Sequence, residues 1–199
     1  MSDVIAASNI AAQAFRMMQL APISSFSDDS DQALDAAEQY PIALNMALGF
    51  FDWSFARITY SLPEIDTVPD GIVVSEDLPN LYALPGDLIK LRKVVDDDVN
   101  WRRDGEFVHA DQPSNLVIRY TRAVDNEKLL PAEFQTYVAG QLAILLGPRW
   151  MRDKVKLREL KSDIAGLRQE AIDGDVYDAS PSRTDDWPEQ DDWAQRVVC

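Results

Sequence analysis

Ala7, Ile10, Ala14 and Met17 recur at spacings of 3, 4 and 3, which puts them on one face of an α-helix. Ser2 or Asp3 is placed to cap that helix, and Ala21-Pro22 ends it. Residues 23–27 read as a loop. Asp28-Asp29-Ser30-Asp31 then suits the acidic first turn of a second helix, where carboxylates meet the positive end of the helix dipole. A calcium loop would need Gly and Glu at positions this run lacks. Ala33, Leu34, Ala37 and Tyr40 follow on the second helix, and Pro41 either kinks it or opens a new segment.

The densest apolar stretch is 40–63. Tyr40, Phe50, Phe51, Trp53, Phe55 and Tyr60 stand there with Leu44, Met46, Leu48 and Ile58. Burying one such ring is worth roughly 1.5 to 3 kcal/mol, so this stretch organises a core. Pro41 is tolerated in a first turn, and 41–51 reads as helix. Asp52 is placed to cap a short turn carrying Trp53 and Phe55.

From 62 to 79 the chain is punctuated by Pro63, Pro69, Asp70-Gly71 and Pro79 around the short run Ile72-Val73-Val74, and it reads as a loop. Tyr82-Ala83-Leu84-Pro85-Gly86-Asp87 makes a turn. Leu88, Ile89, Leu91, Val94 and Val95 form a β-rich run with Lys90, Arg92 and Lys93 interleaved. Residues 101–108 read as a hairpin, because Asp104-Gly105 supplies the positive φ of a tight turn, and 116–121 as a further strand. Together these predict a small antiparallel sheet inserted between helices.

Pro131 opens the most apolar helix. Phe134, Tyr137, Val138, Leu142, Ile144, Leu145 and Leu146 leave it little polar surface, which predicts the centre of a bundle, and Gly147-Pro148 stops it. In the last helix, 151–172, Leu157, Leu160, Ile164, Leu167 and Ala171 recur at 3, 4, 3 and 4 and pack as a stripe on the bundle. Its outer face is basic, with Arg149, Arg152, Lys154, Lys156, Arg158, Lys161 and Arg168. After Gly174 the periodicity is lost in an acidic tail that carries Tyr177, Trp187 and Trp193. The expected fold class is α+β: mainly an α-helical bundle over 1–172 with a small inserted antiparallel β-sheet and loop over about 62–123, and an extended acidic C-terminal arm over 173–199.

Charge adds a polarity to this picture. The formal net charge is −15, with 13 acids and 2 bases in 1–89, 13 acids and 15 bases in 90–172, and 8 acids and 2 bases in 173–199. Surfaces of opposite sign on one chain suit head-to-tail contact between copies or with a partner. The single cysteine, Cys199, excludes an internal disulfide framework, and no run approaches the length of a membrane span. The reading is a soluble protein made in the cytoplasm, with no membrane contact.

Nothing in the chain is assembled for catalysis. The one histidine, His109, falls at the end of a strand, and there is no Gly-rich phosphate loop, nucleophile elbow or zinc spacing. Asp96-Asp97-Asp98, being consecutive, point in different directions and suit a solvated turn better than a cation site. The expectation is a protein with no enzymatic activity, cofactor or metal. Phosphate neutralisation dominates affinity for free DNA, so at this net charge the basic helix suits an acidic protein surface better.

The order of these pieces resembles a known family. Ser25-Phe26-Ser27-Asp28-Asp29, Gly49-Phe50-Phe51-Asp52-Trp53-Ser54-Phe55-Ala56, the run from Tyr82-Ala83-Leu84-Pro85 to Lys93-Val94, Ile118-Arg119-Tyr120-Thr121-Arg122 and Leu130-Pro131-Ala132-Glu133-Phe134 carry the likeness. They are similar to the tail tubular protein A family, the head-to-tail adaptors of tailed bacteriophages, from about residue 10 to 172. The resemblance implies a helical bundle with an inserted sheet and a homo-oligomeric, dodecameric ring in the virion neck. Such a ring sits between the portal protein and a tail or nozzle protein, and DNA passes through its channel without sequence-specific binding. Tyr177, Trp187 and Trp193 are then expected to anchor the acidic arm at an interface, with Arg149, Arg152, Lys154, Lys156, Arg158 and Lys161 as its complement on a neighbouring subunit or the portal. Two other classes fit the composition: an acidic decoy that inhibits a nucleic-acid-binding protein, and a metal-dependent nuclease built on the aspartate clusters.

Overall fold

The computed structural model describes residues 8–179. Its elements are α1 (Asn9–Met17), α2 (Asp31–Phe50), β1 (Arg57–Leu62), β2 (Asn80–Ala83), β3 (Leu88–Val94), β4 (Trp101–Asp104), β5 (Phe107–Ala110), β6 (Leu116–Arg122), α3 (Ala132–Trp150) and α4 (Lys154–Asp178). Short 3-10 turns stand at Ser54–Ala56 and Glu127–Leu129.

This is a mixed α+β fold, which corrects the expectation of a mainly helical bundle with one inserted sheet. Among the described residues helix makes up 46% and strand 20%, and the strands form two three-stranded antiparallel sheets, ordered β1-β6-β3 and β2-β5-β4. Two segments not read as strands become strands by pairing with distant partners, one in each sheet. Arg57–Leu62 pairs along its whole length with β6, Arg57 opposite Thr121 and Leu62 opposite Leu116. Asn80–Ala83, whose Tyr82-Ala83 reads from sequence as the start of a turn, pairs with β5, Tyr82 opposite Val108. The β4–β5 hairpin forms as expected about Gly105, whose φ is +60°. It joins β2, however, and not β6. Leu62, Tyr82, Val94, Val108, Leu116 and Ile118 bring both sheets into one apolar cluster, distinct from the core of the helices.

The helical core is centred where the aromatic stretch predicts. Trp53 is fully buried, with ring centroids of Phe134, Phe51 and Phe55 at 4.8, 5.2 and 5.9 Å, and its indole N–H donates to the Ala47 carbonyl at 2.9 Å. α3 is the helix against which α1, α2 and α4 all pack. Gly140 and Gly147 let α4 come close. A Cβ at Gly140 would stand 2.8 Å from Ile164 Cδ1, and one at Gly147 2.5 Å from Leu157 Cδ1.

Helix ends differ from expectation for local reasons. Ser8 caps α1, its hydroxyl accepting from the Ala11 amide at 3.0 Å; Ser2 and Asp3 lie outside the described residues. Pro41 lies inside an unbroken α2; it and Ala37 are both exposed, so the carbonyl that loses its partner is open to solvent. Pro148 likewise does not stop α3, which runs to Trp150, with the Met151 amide still donating to Gly147 at 2.8 Å. α4 does not end at 172 but continues to Asp178, so the first residues of the acidic segment are helical.

Candidate interaction surfaces

A polar junction ties the sheets to the helices, and the sequence reading passed over it. α2 ends without a basic residue in its last turn, so its final carbonyls need donors from elsewhere. Arg92 of β3 supplies them. Its guanidinium donates to the carbonyls of Leu48 at 3.1 Å, Gly49 at 3.3 Å and Phe51, while Nε donates to Thr121 Oγ1 at 2.8 Å. It reaches the helix because β3 carries bulges: Leu91 pairs with Tyr120 and Lys93 with Arg119, leaving Arg92 as the extra residue. Ile89, the extra residue of the other bulge, packs on the helical core. Burial pulls the Arg92 pKa down, Asp52 pushes it back up, and Arg57 and Arg119 lower it.

Asp52 does not cap the Ser54–Ala56 turn. Its buried carboxylate takes Arg57 Nε at 3.1 Å and Arg119 Nε at 3.5 Å. The turn is held instead by Asp175 of α4, whose carboxylate accepts the Ser54 amide at 2.9 and 3.0 Å and the Ser54 hydroxyl at 2.6 Å.

The basic residues read as one outer face occupy four settings. Arg149 reaches back to Asp31 and Asp35 of α2, and the Trp150 indole donates to Asp35 at 2.8 Å. Lys156 donates to Gln19 at the end of α1. Lys154, Arg158 and Lys161 are exposed along one flank of α4, and Arg168, further along it, lies 4.3 Å over the ring of Phe50. Arg152 is exposed between the helices. Tyr177 is 87% exposed near the far end of α4, while Trp187 and Trp193 lie outside the described residues.

Opposite in character is the outer face of α2, which sequence reading missed as a surface. Leu34, Ile42, Met46 and Phe50 recur at multiples of four and are 63%, 45%, 51% and 47% exposed. No Lys or Arg occurs between Arg16 and Arg57, so Glu38 is the charge on this stripe. The available signal was that helix's even hydrophobicity around its circumference, which leaves more apolar residues than one core-facing stripe can absorb.

The residues considered for chemistry are placed otherwise. His109 is buried in β5 with Nε2 3.5 Å from Asp104, which Arg102 also approaches at 2.8 Å. Asp96 accepts from the Asp98 amide at 3.1 Å, a local turn bond. Among the described residues no three acidic, His or Cys side chains gather as a metal would require, and no described helix is long and apolar enough to cross a membrane. No protein-family model matches this chain, and no curated protein matches it significantly.

Proposed function

We propose that this chain is a structural subunit of a ring-shaped head-to-tail adaptor in a virion neck. It sits between a portal and a tail or nozzle protein and leaves a channel through which DNA passes. One observation carries the reading: the subunit bears two unlike faces, one apolar with an acid and one basic, and the basic one repels a copy of itself. α2 offers an apolar stripe with an acid and no base, and α4 offers the flank of Lys154, Arg158 and Lys161. Such surfaces join copies head to tail, and a heterologous contact that closes makes a ring. The resemblance of the motif order to that of the tail tubular protein A family supports the same reading. The excess of acids in residues 1–89 suits a channel wall that repels phosphate.

Native mass measurement of the full-length protein, alone and with portal-bearing heads, tests this, with an image of the assembled neck. A closed ring on the portal is expected, and no turnover of DNA or nucleotides. A chain that stays monomeric throughout and instead binds a basic nucleic-acid-binding protein sinks the adaptor reading. Divalent-ion-dependent DNA cleavage that is abolished by Asp97→Ala sinks it equally.

A further inference from the structure

At one end of the subunit the last turns of α1 and α3 and the first turns of α2 and α4 surround a groove of about 560 Å³. Leu20, Trp150 and Met151 give it apolar walls, and Arg149, Arg152 and Lys156 stand around it with one acid, Asp153, whose carboxylate accepts the Val155 and Lys156 amides. Gln19 on its edge holds φ at +60°, a left-handed conformation that glycine adopts far more readily. The turn it makes is a two-bond helix stop, the Leu20 amide donating to Phe15 and the Gln19 amide to Arg16, both at 2.9 Å. Glycine would serve that turn equally; glutamine additionally accepts from Lys156 and fixes that ammonium beside the groove.

We infer that this groove receives the segment 180–199 of a second copy of the chain. The inference rests on the ring reading and adds a second contact between neighbouring subunits to the one between α2 and α4. The segment contains Asp185-Asp186-Trp187 and, six residues on, Asp191-Asp192-Trp193. A repeated acid-acid-tryptophan unit matches a groove with apolar walls and a basic surround in both parts of its chemistry: the ring enters, and the carboxylates meet Arg152 and Lys156. Reach sets the donor for Trp187, whereas Trp193, fifteen residues past Asp178 and able to span about 50 Å, reaches either subunit, and the head-to-tail arrangement assigns it to a neighbour. Asp178 is roughly 33 Å along α4 from Lys156, and nine residues span at most about 32 Å when fully extended. Trp187 would meet the groove of its own subunit only with the chain drawn taut along the whole helix, at the largest entropic cost. A neighbour placed head to tail has no such requirement.

The single cysteine makes the test direct. Cys199 of the full-length protein is labelled with a photo-cross-linker, light and heavy-nitrogen copies are mixed before assembly, and native mass is measured before irradiation. The expected products are isotopically mixed cross-links from residue 199 to residues 18–20 or 149–156 of another copy. Arg152→Glu with Lys156→Glu should cut them at least tenfold while leaving circular dichroism and the thermal midpoint unchanged. Cross-links confined to one isotope class, or mixed cross-links to a different surface, overturn the inference; if the native mass is that of a ring, the adaptor reading survives. A monomeric mass at every concentration overturns both.

Discussion

Asp175 on α4 holds Ser54, 121 residues earlier in the chain, accepting its amide and its hydroxyl with one buried carboxylate. Hydrogen bonds to a charged group contribute roughly 1.5 to 3 kcal/mol, and an amide and a hydroxyl left without a partner add their own cost. Asp175→Ala should therefore lower unfolding free energy by about 3 kcal/mol, and Asp175→Asn, which keeps one acceptor oxygen, by less. Urea denaturation distinguishes them. Equal midpoints for wild type and Asp175→Ala would show that the turn stands unaided.

Arg92→Lys should not rescue the α2 end. An ammonium is a point donor and does not fork across several carbonyls, so a loss of about 2 kcal/mol is expected for Lys as well as Met. Amide exchange should quicken in the last turn of α2 and along β3, and stay slow in α3. Wild-type exchange in Arg92→Met would mean that the Phe51 and Leu48 carbonyls have other donors.

Gly140→Ala and Gly147→Ala test the close approach of α4. Overpacking costs typically 1 to 3 kcal/mol, and the shorter clash at Gly147 should cost more. Leu142→Asp, which places a carboxylate in the fully buried centre of α3, should prevent folding altogether. A soluble, cooperatively unfolding Leu142→Asp subunit would contradict α3 as the centre.

How much of this was legible in the sequence follows from how local each cause is. The α3 centre, the α4 stripe, the Asp104-Gly105 hairpin and the β6 strand rest on periodicity or turn chemistry within a few residues, and they are found where expected. β1 and β2 are strands because β6 and β5 lie beside them, a relation no short window contains. Arg92 escaped because a bulge breaks the alternation that strand patterning relies on. Asp175 escaped because its neighbours in sequence are acids and its partner is 121 residues away. The basic residues were readable as a set, but their division among Asp31, Asp35, Gln19 and open solvent depends on where α1 and α2 end.

Alkaline pH should expose the buried phenols. Burial, then the hydrogen bond it donates to Asp87 at 3.1 Å, pushes Tyr120 from 10.0 up to about 12, and burial with Glu127 raises Tyr40 further. A raised phenol pKa means the folded state keeps its proton. The stability it contributes is complete below pH 10 and is lost as pH rises toward 12. Tyr120→Phe should lower the urea midpoint near neutrality, through the lost Asp87 bond, yet make it fall less steeply between pH 10 and 12. An unchanged slope would count against that assignment.

The exposed stripe of α2 admits a change of sign. Ile42→Lys or Met46→Lys should leave the fold intact, since both side chains are about half exposed, and should abolish assembly. Arg158→Glu with Lys161→Glu on α4 should do the same from the other face. Mixing the two variants should restore pairs but not rings, because each retains one functional face. Full rings from either variant alone would place the contact elsewhere.

Arg92 also sets how load passes through the subunit. The sheets and the helices have separate apolar clusters, and the guanidinium grips the carbonyls that end α2, next to the ring of Phe50 on the exposed stripe. The sheets therefore cannot be pulled away from the helices without either breaking those bonds or dragging the last turn of α2 with them. A pull on the sheets is delivered to the same backbone atoms that carry the edge of the exposed helical face.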